Sequence, residues 1–325
     1  MKAVVIKSHG GIEGLDWTDV ADVVPTSLEL LVRVRAAGVN RADILQRQGF
    51  YPPPPGESEI PGLEIAGDVV AMGEETKGFQ VGDRIFGLVA GGGYGEFCPI
   101  HYRMAMPLPT DWSYSQGAAV TEVFYTAGET LFTHGGLREG EDVLIHAGGS
   151  GVGSAGIQLA TRAGARVYVT AGSQAKIDRC MALGAVAGFN YKQEDFVAGI
   201  QRETAGAGVH QVLDFIGGAY LNRNLQVLRP MGRLVVVGLL GGRKAELDLG
   251  LILTRRLRII GSVMRSLSLE EKRAIKQRFM KRWMPGFEEN GLQPIIYAEV
   301  PVENVREAHK IMEENLHFGK IVLIM

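Results

Sequence analysis

The chain has 325 residues, with 34 Lys and Arg against 36 Asp and Glu, a net charge of −2 and 46% apolar residues. That length suits two domains, and the near-balance of charge gives no global electrostatic reason to bind nucleic acid or an anionic membrane. No apolar run reaches membrane-spanning length, and the N-terminal MKAVVIKSHGG is too short in apolar character for a signal peptide.

In chain order, residues 1–120 read as β-rich. Short strand-like runs at residues 3–6, 28–34, 65–72 and 84–88 are separated by turn signals at Gly10-Gly11, Pro25, Pro61-Gly62 and Gly82-Asp83, a spacing that predicts a partly closed β-barrel. One helix is expected at residues 41–48. It leads into Tyr51 and the tetraproline Pro52-Pro53-Pro54-Pro55, a stiff segment that holds the tyrosine in place. A helix over residues 121–131 is expected to cross into a second domain.

The second domain is organised around residues 142–176, DVLIHAGGSGVGSAGIQLATRAGARVYVTAGSQAK. Val143, Leu144 and Ile145 suit a strand buried on both faces. Gly148, Gly149, Gly151 and Gly153 then allow a tight turn and a close backbone approach to a pyrophosphate, with the following helix presenting its free N–H groups. With 44 Gly in the chain, a bare G-x-G-x-x-G is expected by chance about 0.8 times, so the letters Gly151, Gly153 and Gly156 carry little alone. Context carries the signal: strand, turn, helix and second strand close within about 30 residues. The turn is read as starting at Gly148 and using Gly148, Ser150 and Gly153.

Where an NAD-preferring site places an acid, about 20 residues beyond the turn, this chain has Thr170, Ala171, Gly172 and Ser173. No acid stands there to repel a 2′-phosphate, and Ser173 and Lys176 offer donors to one, although Ser173 also suits the cap of a following helix with Lys176 solvated. Further strands are expected at residues 187–191, 211–215, 234–238 and 258–263, alternating with helices at 195–204 and 220–228. The six strands together predict a doubly wound parallel sheet. The tail reads as a basic helix at 270–283, a strand at 295–300, a helix at 302–314 and a strand at 320–324. The expected domains are residues 1–121, 122–264 and, returning to the first fold, 265–325.

No activated nucleophile is evident. Ser150 lacks the G-x-S-x-G elbow because Val152 occupies the last glycine position, and no G-x-x-x-x-G-K-[ST] exists. The seven histidines form no pair at metal-ligand spacing, and His146 reads as a packed core residue. Cys98 and Cys180 lie far apart and outside any C-x-x-C; they read as buried small residues in a reducing, cytoplasmic compartment, and argue against a thiolate-built zinc site.

The runs AAGVNRADILQRQGFYPPPPGESEIPGLEIAGDVV, GDRIFGL, HAGGSGVG, TAGSQAK with FNY, and the closing GK occur in that order over essentially the whole chain. Together they resemble the zinc-free quinone oxidoreductases of the medium-chain dehydrogenase/reductase superfamily, and within it the p53-inducible branch through QGFYPPPPG and GFNYK. The resemblance implies an α/β architecture: a GroES-like β-barrel catalytic domain built from both chain ends, a Rossmann domain between them, NADPH as hydride donor and a homodimer. Zinc-dependent relatives carry a Cys after A-G-V and a G-H-E, where this chain has Asn40 and Gly62-Leu63-Glu64, so no metal is expected. It places Asn40 and Tyr51 at the nicotinamide and substrate, as hydrogen-bond donors to a quinone oxygen. Thr126 falls near the nicotinamide ribose, Ser150, Gly151 and Val152 on the pyrophosphate, and Gly172, Ser173, Lys176 and Tyr191 around the 2′-phosphate. Gly217, Gly238 and Leu239 line the outer strand ends, and Phe318, Gly319 and Lys320 the return of the tail; Gly217, Gly238 and Phe318 also suit plain turn and core roles.

The function expected is zinc-independent, NADPH-dependent reduction of a small-molecule quinone. An alternative is reduction of enoyl or alkenal double bonds, with Tyr51 protonating carbon. A further alternative is a non-enzymatic RNA-binding or crystallin-like role resting on Arg255, Arg256, Arg258 and the basic residues between 272 and 282. Acids at Glu270, Glu271, Glu288 and Glu289 flank that stretch and favour a solvated helix face, so no nucleic-acid partner is expected.

Overall fold

The structure, a computed structural model, describes residues 1–325. In chain order the elements are β1 (Lys2–Ile6), β2 (Leu15–Asp19), β3 (Glu29–Val39), α1 (Arg41–Arg47), β4 (Glu64–Met72), β5 (Arg84–Leu88), β6 (Phe97–His101), β7 (Ala105–Pro107) and α2 (Tyr114–Gly117). There follow α3 (Thr121–Gly128), β8 (Asp142–Ile145), α4 (Gly151–Arg162), β9 (Arg166–Ala171), α5 (Gln174–Ala182), β10 (Ala187–Asn190), α6 (Phe196–Glu203), β11 (Val209–Asp214) and α7 (Leu221–Val227). The chain closes with β12 (Leu228–Val236), α8 (Leu249–Arg255), β13 (Arg258–Gly261), α9 (Leu269–Arg282), α10 (Met284–Glu288), β14 (Ile296–Pro301), α11 (Val305–Glu313) and β15 (Lys320–Ile324).

Two compact units result. The first joins Met1–Val123, Arg265–Arg278 and Pro294–Met325; the second joins Phe124–Met264 and Phe279–Gln293. The expected boundary assigned the whole tail to the first unit, and the structure corrects this for Phe279–Gln293. The reason is aromatic packing: Phe279 meets Tyr125 at 5.0 Å between ring centroids, Trp283 meets Phe132 at 4.9 Å and Phe287 meets Phe124 at 4.8 Å. Such pairs contribute beyond their buried area.

The first unit is a seven-stranded sheet in the order β14-β15-β3-β4-β5-β7, with β6 also on β3 and a separate β1-β2 hairpin. Its C-terminal strand β15 lies antiparallel to β3, Ile321 opposite Val39 and Ile324 opposite Ala36, so both chain ends build one sheet. β2 and β6 were not expected from the sequence. LDWTD carries two acids and β6 contains Pro99. Strand formation depends on the partner more than on the residues, and Pro99 is tolerated because β6 has β3 as its sole neighbour.

The second unit is a six-stranded parallel sheet, β10-β9-β8-β11-β12-β13, as expected. Val143, Leu144 and Ile145 of β8 are fully buried, which explains their uninterrupted apolar run. His146 extends this core. Its ring touches Thr170 Oγ1 at 2.9 Å and Asn224 Oδ1 at 2.7 Å and stands edge-on to Phe196 and Tyr220, with burial pushing it down to about 4. α3 runs into a π-helical turn, Glu129–His134, rather than ending at residue 131. No helix is long and apolar enough to cross a membrane.

Candidate active site and cofactor cradle

Strand order in the second sheet reverses direction between β8 and β11, and ligands of such sheets bind outside the carboxyl ends of the strands at that point. The glycine-rich turn lies there. Ala147 takes a left-handed conformation with φ 49°, Gly148 N–H donates to Thr170 O at 2.9 Å, and Ser150 caps α4 by accepting from Gly153 N–H at 3.0 Å. A Cβ at Gly153 would stand 2.3 Å from Ala147 O, and one at Gly148 3.0 Å from Cys180 Sγ and Val169 Cβ. Gly153 therefore tolerates no side chain, and a Cβ at Gly148 would require its neighbours to give by a few tenths of an ångström. Gly151 and Val152 open α4, where amides lack intrahelical acceptors and suit an anion.

β9 ends at Ala171 with no acid. Beyond it, Ser173 caps α5 through Lys176 N–H at 3.4 Å, and a Cβ on Gly172 would stand 2.7 Å from the Tyr191 hydroxyl. Gly172 is thus what lets Tyr191 close over this turn. Lys176 is held below its ordinary value by burial first, then by the positive charges of Lys192 and Arg179. Lys192 and Arg179 thus add positive charge close to Lys176, a field that favours a bound anion. Sequence reading reached Tyr191 and missed Lys192, although the two are adjacent in the chain.

At the ends of β11 and β12, Gly217 (φ 78°), Gly238 and Leu239 come together: a Cβ on Gly217 would meet Leu239 Cδ2 at 2.9 Å, and one on Gly238 would meet Phe215 O at 2.8 Å. The buried Asp214 carboxylate accepts from Ile216 N–H at 2.7 Å and Gly217 N–H at 3.1 Å, and burial pushes it up to about 6. Thr126 sits on α3, nearly buried.

The first unit holds a different kind of site. Lys320, expected at the cofactor, has its ammonium enclosed by its own chain: Asn40 Oδ1 at 2.6 Å, Glu64 Oε1 at 2.7 Å and Val39 O at 2.8 Å. Asn40 Nδ2 donates to Glu64 Oε1 at 3.1 Å and to Gly38 O at 3.3 Å, so the amide expected to face the substrate is committed at both ends. Glu64 Oε2 accepts from Thr121 Oγ1 at 3.1 Å and Glu122 N–H at 2.9 Å. Gly38 makes this possible, because a Cβ there would lie 2.3 Å from both Glu64 Oε1 and Ala118 O. Phe318 is buried, and Gly319 (φ 88°) turns the chain into β15.

Tyr51 stands apart from that cluster. Half-buried, with no hydrogen-bond partner for its hydroxyl within the chain, it lies 5.5 Å from the Arg265 guanidinium, which also donates to Tyr51 O at 3.2 Å, Gln46 Oε1 at 2.8 Å and Ala90 O at 3.0 Å. Burial raises its hydroxyl above the ordinary tyrosine value, Arg265 pulling it down and Glu122 pushing it up.

A glycine-rich nucleotide cradle on a six-stranded parallel sheet, with a strand-built unit made from both chain ends, is the build of a two-domain, nucleotide-dependent oxidoreductase. A family model for zinc-binding dehydrogenases matches residues 151–280, and one for the alcohol dehydrogenase GroES-like domain matches residues 26–110. Rat quinone oxidoreductase is 31% identical over 328 residues, spanning 100% of this chain and 98% of the relative. The chain belongs to the quinone oxidoreductase family of the medium-chain dehydrogenases/reductases. The structure of Escherichia coli quinone oxidoreductase complexed with NADPH has a TM-score of 0.90 at 27% identity, over 100% of both chains. CurK enoyl reductase has a TM-score of 0.88 at 27% identity, over 100% of this chain and 99% of that one.

The turn at Gly148 to Gly153, the cations beside Gly172 and the absence of an acid at the end of β9 fit a dinucleotide with a 2′-phosphate. At the two positions where the resemblance puts zinc ligands in zinc-dependent relatives the chain holds Asn40, bonded to the Lys320 ammonium and the Glu64 carboxylate, and the apolar Leu63.

The Lys320 cluster generates a stability prediction. Lys320→Met leaves the Glu64 carboxylate buried without its counter-ion and is expected to cost about 3–5 kcal/mol in urea unfolding, about half of it recovered by adding Glu64→Gln. An unchanged midpoint in the single variant would contradict the ion pair.

Proposed function

We infer that this chain is an NADPH-dependent quinone oxidoreductase, and the observation that carries the inference is the pairing of the acid-free, cation-lined turn at Gly172 with the Tyr51 hydroxyl left without a partner. The bound cofactor supplies the reducing equivalents. The chain supplies binding, orientation and a proton. Gly151 and Val152 N–H and Ser150 hold the pyrophosphate; Gly172, Ser173, Lys176, Tyr191 and Lys192 hold the 2′-phosphate; Thr126, Gly217, Gly238, Leu239, Phe318 and Gly319 complete the cofactor's surroundings.

On the substrate side Tyr51 Oη donates its hydrogen bond, and then its proton, to the oxygen on which negative charge develops. Asn40 acts as a positioning residue, fixing Lys320 and Glu64, and Lys320 acts through that cluster rather than on the cofactor. No metal enters this account. The CurK likeness supports a second reading, reduction of an activated carbon–carbon double bond with Tyr51 protonating carbon. Assays with NADPH against a panel of quinones and 2-alkenals separate the two.

The protein acts as a homodimer in this reading. β13 pairs only with β12, leaving an open edge that exposes Ile259, while Leu249 (69%) and Leu253 (77%) stand exposed on the preceding α8. A second copy would cover such an apolar edge. The buried, unpaired thiols of Cys98 and Cys180 suit the reducing cytoplasm.

Two outcomes are expected. Charge-assisted hydrogen bonds contribute about 1.5–3 kcal/mol, so Lys176→Ala is expected to weaken NADPH binding about 10- to 100-fold while barely changing NADH, read as Kd by fluorescence titration. Equal loss of both would place discrimination elsewhere. Light scattering is expected to give twice the chain mass of 35.2 kDa; a monomer at micromolar concentration would remove the edge-pairing account.

A further inference from the structure

One guanidinium ties together the stretch of the first unit that carries Tyr51. Arg265 Nε donates to Ala90 O at 3.0 Å, Nη1 to Tyr51 O at 3.2 Å and Nη2 to Gln46 Oε1 at 2.8 Å. Gln46, on α1, passes the link on by donating from Nε2 to Glu59 O at 2.8 Å. Tyr51 N–H donates in turn to Leu45 O of the same helix at 3.2 Å. The tetraproline Pro52 to Pro55 is therefore fastened before its first residue and again at Glu59. Its ring-locked φ angles leave little freedom between those points. Only a planar fork reaches three acceptors in fixed directions in this way; an ammonium on a flexible stem does not.

The charge of Arg265 calls for a second explanation. The residue is only 6% exposed, and its acceptors are two backbone carbonyls and an amide, none of them a carboxylate. A buried cation ordinarily sits against an anion. Here the guanidinium stands over the Tyr51 ring, 5.5 Å from its centroid and within cation–π range. A phenolate formed on that ring would find its counter-charge already in place, with no reorganisation needed. The electrostatics agree in sign: burial and Glu122 raise the Tyr51 hydroxyl, and Arg265 pulls it down. Asp43 and Glu57 act on Arg265 in turn, and Arg265 acts on Lys272.

We propose that Arg265 is the positioning residue for Tyr51: it pins the tyrosine through Tyr51 O and the Gln46 link, and its charge over the ring balances the phenolate left when Oη gives its proton to the acceptor. The proposal rests on Tyr51 as donor. Per turnover, the acceptor takes two electrons and one hydrogen as hydride from the cofactor and one proton from Tyr51 Oη. The half-buried Tyr51 regains a proton from water, and Arg265 keeps its own throughout.

The test has two arms. In the cofactor-free protein, 3-chlorotyrosine placed at position 51 titrates apart from the other tyrosines and is followed by absorbance. Its phenol is expected to move up by about one pH unit in Arg265→Gln and to stay near its original position in Arg265→Lys, which keeps the charge. In turnover, with whichever acceptor of the quinone and 2-alkenal panel the protein reduces, Arg265→Gln is expected to lower kcat about 10- to 100-fold with KM for NADPH unchanged. Arg265→Lys, which loses the fork, is expected to lower kcat about 10-fold; it carries the turnover arm if the neutral variant does not fold. In a Tyr51→Phe background either substitution is expected to cost less than about 2-fold more, because its effect passes through the hydroxyl. A phenol that titrates alike in Arg265→Gln and wild type, or losses that simply multiply with that of Tyr51→Phe, would overturn the proposal while leaving the quinone reading intact. Full activity in Tyr51→Phe would remove the donor and the proposal with it. Alkenal but no quinone reduction by the wild type, with the phenol shift and the non-additivity present, would overturn the quinone reading alone.

Discussion

A single buried ammonium organises the catalytic unit. Lys320 enters at the far end of the chain and bonds Val39 and Asn40 at the end of β3 and Glu64 at the start of β4, while Glu64 holds Thr121 and Glu122 at the start of α3. A buried ion pair repays its desolvation only when the remaining donors and acceptors are satisfied. That condition is met: all three ammonium protons and both carboxylate oxygens are used. The cost falls on sequence freedom, because Gly38 must lack a side chain for Glu64 to fit and Asn40 must present an oxygen to Lys320 and a nitrogen to Glu64.

That saturation has a chemical consequence. Lys320 bonds Glu64 rather than the nearby Glu122, and because Arg265 is spent on carbonyl oxygens and on the Tyr51 ring, Tyr51 keeps a hydroxyl without a partner in the chain. The second unit works by the reverse logic. Lys192 and Arg179 add positive charge around Lys176, and the first amides of α4 lie beyond the intrahelical ladder.

Much of this was legible in the sequence. The six parallel strands were readable because a strand buried on both faces is an uninterrupted apolar run, and the cradle because its glycines stand between such a run and a helix. Of the two readings of Ser173, the cap of α5 is the one seen in the fold, through Lys176 N–H. Other features were not local. β6 exists because β3 offers an edge, not because FCPIH favours a strand. Phe279, Trp283 and Phe287 join the second unit through aromatic partners far away in the chain. Nothing near Lys320 announces that its ammonium is occupied: G-K before an apolar strand reads as a cofactor contact until Asn40 and Glu64 are seen around it.

The most direct test of the account is quinone-dependent NADPH oxidation by protein whose zinc content has been measured before and after chelation. The account predicts full activity at substoichiometric zinc, with no gain when zinc is restored, because Asn40 and Leu63 offer no ligand and Tyr51 supplies the proton. Activity that disappears on chelation and returns with zinc would contradict it.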